Sequence, residues 1–279
     1  MLGAALGSFA GAQVWRLRAR QLVEDQARGE PVDKAELRRL QPLLATLRQD
    51  RSRCLHCAHQ LRWYDLLPVI SWLSLAGKCR YCRRPIGWTE LLLELGVAAL
   101  FVLSIYLWPS PLVTGLEIAR LVLWLTALVC LVILFVYDLR WYLLPDIVNL
   151  PFIGLAMSYA LLTLLGAADV AAALLSLSGA IAILSGLYLA LYIISKGEWV
   201  GFGDVKLGLG LAGLLGNWQL AFIALFLANF IGTLLVLPGM LRGKVARGAK
   251  VPFGPLLIAG MLLAWWGGAW LIEQLLFVP

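Results

Sequence analysis

Long apolar runs constrain the fold of this chain more than any other feature of its sequence. A helix needs about 20 apolar residues to cross roughly 30 Å of hydrocarbon. Eight runs approach or reach this length, near residues 1–15, 91–108, 117–137, 147–166, 172–194, 205–216, 219–240 and 254–276, and the first and sixth are short. The chain is 61% hydrophobic, whereas soluble domains are only about 45–50% apolar. We therefore predict an all-α polytopic membrane protein with about eight transmembrane helices.

The positive charges lie almost entirely on one side of these eight predicted spans. Of the 23 Lys and Arg residues, 22 fall in the loops on that side or at their edge, namely 16–90, 138–146, 195–204 and 241–253 with Lys206. Arg120 is the exception. Because basic loops face the cytoplasm, we expect this side to be cytoplasmic. The net charge of +7 then reports topology, and no nucleic-acid partner is expected.

The same pattern predicts three parts. Residues 1–15 form a first transmembrane helix, residues 16–90 form a cytoplasmic segment, and residues 91–279 form a seven-helix membrane domain. No cleavable signal peptide is expected, because no basic region precedes the apolar N-terminus and the run continues directly into Arg16 and Arg18.

Four of the five cysteines form two pairs within the predicted cytoplasmic segment. Cys54 and Cys57 make one Cys-x-x-Cys motif, and Cys79 and Cys82 make the second. Two such motifs can supply four thiolates to a tetrahedral Zn²⁺, and the reducing cytoplasm disfavours disulfides between them. A closed four-thiolate site leaves no position for water, so we predict structural rather than catalytic zinc.

Three aspartates border the apolar runs at the predicted cytoplasmic edge. They are Asp138, Asp146 and Asp204, and ionisable groups in such places are functional candidates. The two histidines of the chain are His56 and His59, which excludes Ser-His catalysis and His-Glu-x-x-His zinc chemistry near the membrane domain. Two aspartates that share a proton can activate water and protonate a leaving amine without histidine.

The surroundings of these aspartates suggest different roles. Asp204 follows Gly201 and Gly203 in a Gly-x-Gly-Asp motif, and residues without a Cβ let an extended peptide approach closely. Asp146 suits either catalysis or the N-cap of the fourth span.

Two other patterns are weaker. A Ser-Lys mechanism through Ser195 and Lys196 stays formally open. The Gly-x-Gly-x-x-Gly pattern at 208–213 lies within an apolar run, where it indicates close helix packing.

The motifs together resemble the type IV prepilin leader peptidases, a family of Gly-x-Gly-Asp intramembrane aspartic proteases. The resemblance is carried by Asp138 with Leu-Leu-Pro-Asp at 143–146, and by Gly-Phe-Gly-Asp-Val-Lys at 201–206. Further matches to the bifunctional bacterial branch are Gly7-Ser8-Phe9, both cysteine pairs, Trp63-Tyr64, Leu67-Pro68, Ser71, Gly77-Lys78-Cys79-Arg80, Glu94 and Pro252-Phe253-Gly254-Pro255.

This resemblance implies an aspartic endopeptidase of the bacterial inner membrane, with its active site and zinc segment facing the cytoplasm. Its catalytic residues would be Asp138 and Asp204, supported by Asp146, Gly201, Gly203 and Lys206. Its substrates would be type IV prepilins and type II secretion pseudopilins, cleaved after a glycine to release a short basic leader.

The bifunctional branch also methylates the new N-terminus with S-adenosylmethionine. This chain departs from the branch's usual residues at Gly11, Leu55 and Leu66, so a peptidase without methyltransferase activity is an alternative. A membrane transporter is a second alternative, although a transporter would place its carboxylates along a path through both leaflets.

Overall fold

The computed structural model describes residues 1–44, 51–243 and 251–276, apart from the side chains of Ala269, Leu275 and Leu276. Part of the predicted loop 241–253 therefore lies outside the described residues. The chain divides into two compact units, Met1–Tyr106 and Leu107–Pro279. Each unit has its own candidate site.

The first unit combines two long helices with the polar segment that connects them. Its α-helices are α1 (Leu2–Ala27), α2 (Lys34–Leu40), α3 (Ile70–Ser74) and α4 (Trp88–Tyr106). Helix α1 packs along α4, and Gly3 and Gly7 allow the close approach typical of small residues four apart in membrane helices. Helix α1 also continues well past the predicted end at residue 15, since the polar residues that follow are good helix formers until Gly29.

The second unit is a bundle of long helices joined by short connections. Its helices are α5 (Gly115–Trp141), α6 (Asp146–Leu165), α7 (Val170–Ser195), α8 (Phe202–Leu215), α9 (Trp218–Leu241) and α10 (Phe253–Leu276). Helix α8 contacts four other helices of this unit: α6, α7, α9 and α10. Most residues from Val205 to Leu215 are buried, so α8 is the core of this unit.

Only part of the predicted membrane topology is confirmed. Within the described residues, five helices are long and apolar enough to cross a bilayer: α4, α5, α6, α7 and α9. The first predicted span lies in α1, whose second half is basic. The sixth lies in α8, which has 14 residues, and the apolar stretch of α10 can be followed over Phe253–Gly268, up to the first side chain that is not described. The protein is therefore an all-helical membrane protein, but eight spans are not confirmed.

Arg120, the one basic residue outside the predicted cytoplasmic side, has local partners. Its Nη1 lies 2.7 Å from Glu117 Oε1, one turn earlier in α5. Its guanidinium also lies over the ring of Tyr159 on α6, 5.3 Å from the ring centroid. Because the charge is neutralised and half-buried inside the bundle, it does not act as a free loop charge of the kind that sets topology.

Gly208 determines how closely α7 approaches α8. A Cβ at this position would overlap the carbonyl oxygen of Leu184, which belongs to the backbone and cannot rotate away. We expect Gly208→Ala to destabilise the protein by about 1–3 kcal/mol, the usual cost of overpacking. Gly154→Ala is the matched control, because a Cβ on that helical glycine meets no atom within 4 Å. Thermal unfolding in detergent measures both, and equal melting temperatures would contradict the close approach.

Candidate active site and metal centre

Asp138 occupies the last turn of α5, in a nearly closed environment. Its residue is only 5% exposed, and its Oδ2 accepts a hydrogen bond of 3.0 Å from the backbone N–H of Gly254 at the start of α10. A Cβ at Gly254 would lie 2.7 Å from that oxygen. A side chain at position 254 would therefore crowd the Asp138 carboxyl in its present position. Tyr142, in the left-handed conformation, ends α5 by donating its N–H to the Asp138 carbonyl at 2.9 Å.

Asp204 lies in the first turn of α8, which the Gly-x-Gly sequence opens. Gly201 is the N-cap residue, and its carbonyl accepts the Asp204 N–H at 3.1 Å. The buried amide of Asn149 on α6 donates to the Gly203 carbonyl at 3.1 Å. These two contacts fix both polar groups of the peptide unit that joins Gly203 to Asp204, so the carboxylate projects from a held position.

The structure brings the two aspartates together at one end of the second unit. Asp138 at the end of α5 and Asp204 at the start of α8 interact electrostatically. Leu144, in the connection from α5 to α6, lies against both glycines of the site: a Cβ at Gly203 would be 3.0 Å from Leu144 Cβ, and one at Gly254 would be 3.4 Å from Leu144 Cδ2. The carboxyl groups of Asp138 and Asp204 thus lie beside the backbone of Gly254 and Gly203, and the side chain of Leu144 contacts both glycines.

Asp146 does not have the capping role that its position suggested. The expectation that it caps α6 is wrong: Pro145 is the N-cap residue, Asp146 is the first residue of the helix, and no side-chain cap is formed. Its carboxylate instead accepts hydrogen bonds of 2.8 and 2.7 Å from Lys206 Nζ. A cap needs its side chain to turn back over the helix end, and here the lysine on α8 draws the carboxylate outward.

Three residues near the aspartates were not singled out as site residues from the sequence. Gly254 belongs to a recognised motif, but nothing in that motif shows that its N–H reaches Asp138. Asn149 is a polar residue in an apolar run, which is a signal of function. Tyr188, which interacts electrostatically with Asp204, gave no signal because tyrosine is common in membrane helices.

The four predicted metal ligands come together in the first unit. Thiolates about 2.3 Å from a tetrahedral Zn²⁺ lie about 3.8 Å from one another. The Sγ atoms of Cys54 and Cys82 are 3.9 Å apart, and the four Sγ atoms, with those of Cys57 and Cys79, all lie within 4.8 Å of one another. The cluster could therefore hold a metal ion, and its geometry fits zinc.

The two cysteine loops have the same backbone structure, repeated 25 positions apart. In the first, the Cys54 N–H donates to the His59 carbonyl at 3.0 Å; in the second, the Cys79 N–H donates to the Arg84 carbonyl at 2.8 Å. The residue four positions after each first cysteine, Ala58 or Arg83, has a positive φ. Each loop thus turns its two thiols toward the same point.

A polar contact ties the segment after the first loop to the second loop. Asp65 accepts a hydrogen bond of 2.8 Å from Arg80 Nε and one of 3.0 Å from the Tyr81 hydroxyl. Burial alone would raise the pKa of Asp65, but these bonds and one from the Arg62 N–H outweigh burial and lower it. The carboxylate is therefore charged near neutral pH and holds the loops together.

A cavity of about 180 Å³ opens beside the cysteine cluster, within the first unit. Its wall includes the aromatic ring of Trp15, the carboxylates of Asp65 and Glu90, and the guanidinium groups of Arg16 and Arg80. Trp15 Nε1 lies 3.4 Å from Glu90 Oε1. The cavity thus combines an aromatic face with charges of both signs.

Comparison with known proteins identifies both halves of the chain. Residues 1–108 match the family model described as the bacterial peptidase A24 N-terminal domain, and residues 125–237 match the type IV leader peptidase family. No solved structure matches the chain.

Several curated proteins are similar over most of their length, and each is named prepilin leader peptidase/N-methyltransferase. The protein from Dichelobacter nodosus is 36% identical over 77% of this chain and 71% of its own. Those from Stutzerimonas stutzeri and Pseudomonas aeruginosa are 31% and 30% identical, each over 96% of this chain and 89% of their own. This chain therefore belongs to the type IV leader peptidase family.

Proposed function

We propose that the protein is an intramembrane aspartic endopeptidase that removes the basic leader from type IV prepilins and type II secretion pseudopilins at the cytoplasmic face of the bacterial inner membrane. The observation that supports this most directly is the meeting of Asp138 and Asp204 at one end of the second unit. The relatives' names supply the substrate class. The distribution of Lys and Arg supplies the orientation.

The two aspartates divide the chemistry of hydrolysis between them. One carboxylate removes a proton from water, which attacks the scissile carbonyl, while the other, as the carboxylic acid, protonates the departing amine. The bond from the Gly254 N–H fixes Asp138, and the α8 backbone fixes Asp204. Catalytic groups that are already fixed in position lower the entropic cost of reaching the transition state.

Glycine backbone beside the aspartates also suits a peptide substrate. Gly201 is exposed at the open end of the bundle, and it offers backbone groups without a side chain in front of them. An extended substrate segment can therefore approach Asp204 closely enough for attack. Asp146 and Lys206 form a pair at the edge of the same end, where they support the start of α8.

N-methylation of the new N-terminus is a second function that a specific observation favours. The cavity of the first unit offers an aromatic face for a sulfonium cation and carboxylates for an amino group, which fits S-adenosylmethionine, the methyl donor. Trp15, Asp65 and Glu90 would hold it. Gly11, Leu55 and Leu66 also line this cavity, so all three positions at which this chain departs from the bifunctional branch lie at the proposed methyl-donor site.

Zinc at Cys54, Cys57, Cys79 and Cys82 would be structural. Four thiolates would fill all four positions of a tetrahedral ion and leave none for water. The bound ion would hold together the two cysteine loops, which form one side of the cavity. Peptide hydrolysis in the second unit does not use this metal.

We expect Asp138→Asn and Asp204→Asn each to reduce the rate of leader cleavage by about 10²–10⁴-fold or more, because each variant lacks one partner of the acid–base pair. Asp146→Asn is the matched control from the same end of the bundle. Its ion pair with Lys206 is partly exposed and worth about 0–1 kcal/mol, so it should lose less than about tenfold. Cleavage of a purified prepilin, followed by gel mobility, measures all three. Substantial processing by either catalytic variant would falsify the assignment.

Purified protein, prepared without chelators, should contain one zinc per chain by elemental analysis. Cys79→Ser should lower this content because it removes a buried ligand, and Cys130→Ser is the control, since that cysteine lies outside the cluster. Loss of metal should impair methylation more than cleavage. Zinc content that is unchanged in Cys79→Ser would show that the ion binds elsewhere.

Glu90→Gln should reduce methylation by about 10–100-fold while leader cleavage stays within about twofold, since a hydrogen bond to a charged group is worth about 1.5–3 kcal/mol. Glu24→Gln is the control: that residue is exposed on α1 and does not line the cavity. The mass of the processed N-terminus, read on the same samples as cleavage, reports both reactions. If wild-type protein cleaves without adding a methyl group, the protein is a peptidase alone.

A further inference from the structure

The short helix α3 carries an exposed apolar face. Ile70 and Leu73, three positions apart and so on one side of the helix, are 53% and 62% exposed. Trp88, the first residue of α4, is 68% exposed, and its ring centroid lies 4.7 Å from that of Trp72 on α3. We call Ile70, Leu73 and Trp88 the α3 patch. Exposed apolar groups that cluster in this way mark contact with another molecule or with a membrane.

Helix α4 fixes the depth of this patch in the bilayer. At 1.5 Å per residue its 19 residues extend about 28 Å, close to the roughly 30 Å of hydrocarbon that a membrane span must cross. Nearly the whole helix is therefore needed for the span, and Trp88 lies at the edge of the hydrocarbon layer. Tryptophan is enriched at this depth in membrane proteins.

Glu94 ties the start of α3 to α4 beyond its first turn. It lies six positions, about 9 Å, along α4 from Trp88 and is 8% exposed. Its Oε2 accepts a hydrogen bond of 2.7 Å from the backbone N–H of Val69, the residue just before α3. Side chains of a helix lean back over the preceding turn. Val69 therefore lies level with the first two turns of α4.

A second contact holds α3 at the same level. Trp72 Nε1 donates to the carbonyl of Gly87, immediately before α4, at 3.0 Å. Because α3 is tied to α4 through both Val69 and Trp72, its exposed side chains lie where the headgroups meet the acyl chains. Interfacial helices bury an apolar face about 5–10 Å into this boundary.

Two exposed cations, Lys78 and Arg84, lie beside this region in the second cysteine loop. Lys78 follows Gly77, which lies against the Trp72 ring, and Lys78 also pairs with Pro85, the neighbour of Arg84. Cations at a membrane surface attract anionic headgroups. The charge of the loop therefore complements an anionic lipid surface.

We propose that α3 is an interfacial anchor: the α3 patch inserts into the lipid surface at the end of the bilayer where α4 begins, and Lys78 and Arg84 bind anionic headgroups there. The anchor goes beyond both proposed activities and depends on neither. Ser71 and Leu75, also on α3 or next to it, line the cavity of the first unit. The anchor therefore holds one wall of that cavity at the membrane surface.

Photocrosslinking of the full chain in nanodiscs of phosphatidylcholine and phosphatidylglycerol tests the insertion. The photoreactive residue p-benzoylphenylalanine replaces Ile70, Leu73 or Glu24, one at a time, and mass spectrometry identifies the adducts. Glu24 is the control. Trp15 on α1 lies level with Glu90, and the exposed Glu24 is nine residues, about 13 Å, further along α1.

We expect lipid adducts from positions 70 and 73 to exceed those from position 24 by about fivefold or more, since only the α3 probes reach the acyl chains. Equal yields at the three positions would overturn the anchor. Adducts to protein instead of lipid would also overturn it, and would show that a second copy or another part of the chain covers the patch.

The two cations are tested with the probe at position 73. Phosphatidylglycerol should be enriched among its lipid adducts by about twofold or more over its share of the nanodisc, and Lys78→Gln with Arg84→Gln should abolish this enrichment. Enrichment that persists in the double variant would overturn the role of the cations. Thermal unfolding of each variant in detergent verifies that folded protein is compared.

Discussion

The burial of α8 is the constraint on which the rest of the second unit depends. This helix carries Asp204 at its first turn, and nearly every residue after that turn is buried by α6, α7, α9 and α10. A carboxylate at the start of such a helix is held by backbone that has little freedom to move. In the proposed peptidase, helix packing rather than a network of charged side chains would therefore provide the precision that proton transfer needs.

Close packing around α8 requires small residues and an irregular neighbour. Gly208 admits the α7 backbone, and α7 meets it with a π-helical segment rather than a regular turn. The same principle operates at Gly254, where the absence of a Cβ lets a backbone N–H reach Asp138. The Gly208 contact is between two backbones, so no change of rotamer can relieve an added Cβ, whereas the Gly254 contact joins a backbone N–H to the Asp138 side chain.

Much of this organisation could be predicted from residue types and spacing. The apolar runs predict the five described helices that can cross a bilayer, because the thickness of the hydrocarbon layer fixes the length that such a helix needs. The cysteine spacing predicts the cluster, since two short loops can close only on a common centre. The histidine positions leave the aspartates as candidates for peptide hydrolysis, and the structure brings Asp138 and Asp204 near one another.

Other features depend on tertiary contacts that spacing does not encode. The ion pair of Asp146 with Lys206 joins residues 60 positions apart, so local capping rules gave the wrong partner. The contact of Gly254 with Asp138 spans 116 positions. The π-helical segment of α7 at Ala182–Gly186 has no composition of its own that marks it. The predicted domain limits at residues 15 and 90, and the roles of the individual aspartates, stay predictions.

The shortness of α8 has a consequence for where a substrate can be cut. At 1.5 Å per residue, a helix of 14 residues is about 21 Å long, roughly 9 Å less than the hydrocarbon layer. When its far end reaches one surface of the layer, its aspartate lies in a recess beneath the other. A peptide bond near the entrance of a substrate's own apolar segment can descend to that depth, while one at the segment's middle cannot. In the proposed peptidase, the length of α8 would therefore limit which peptide bond of a substrate can reach Asp204.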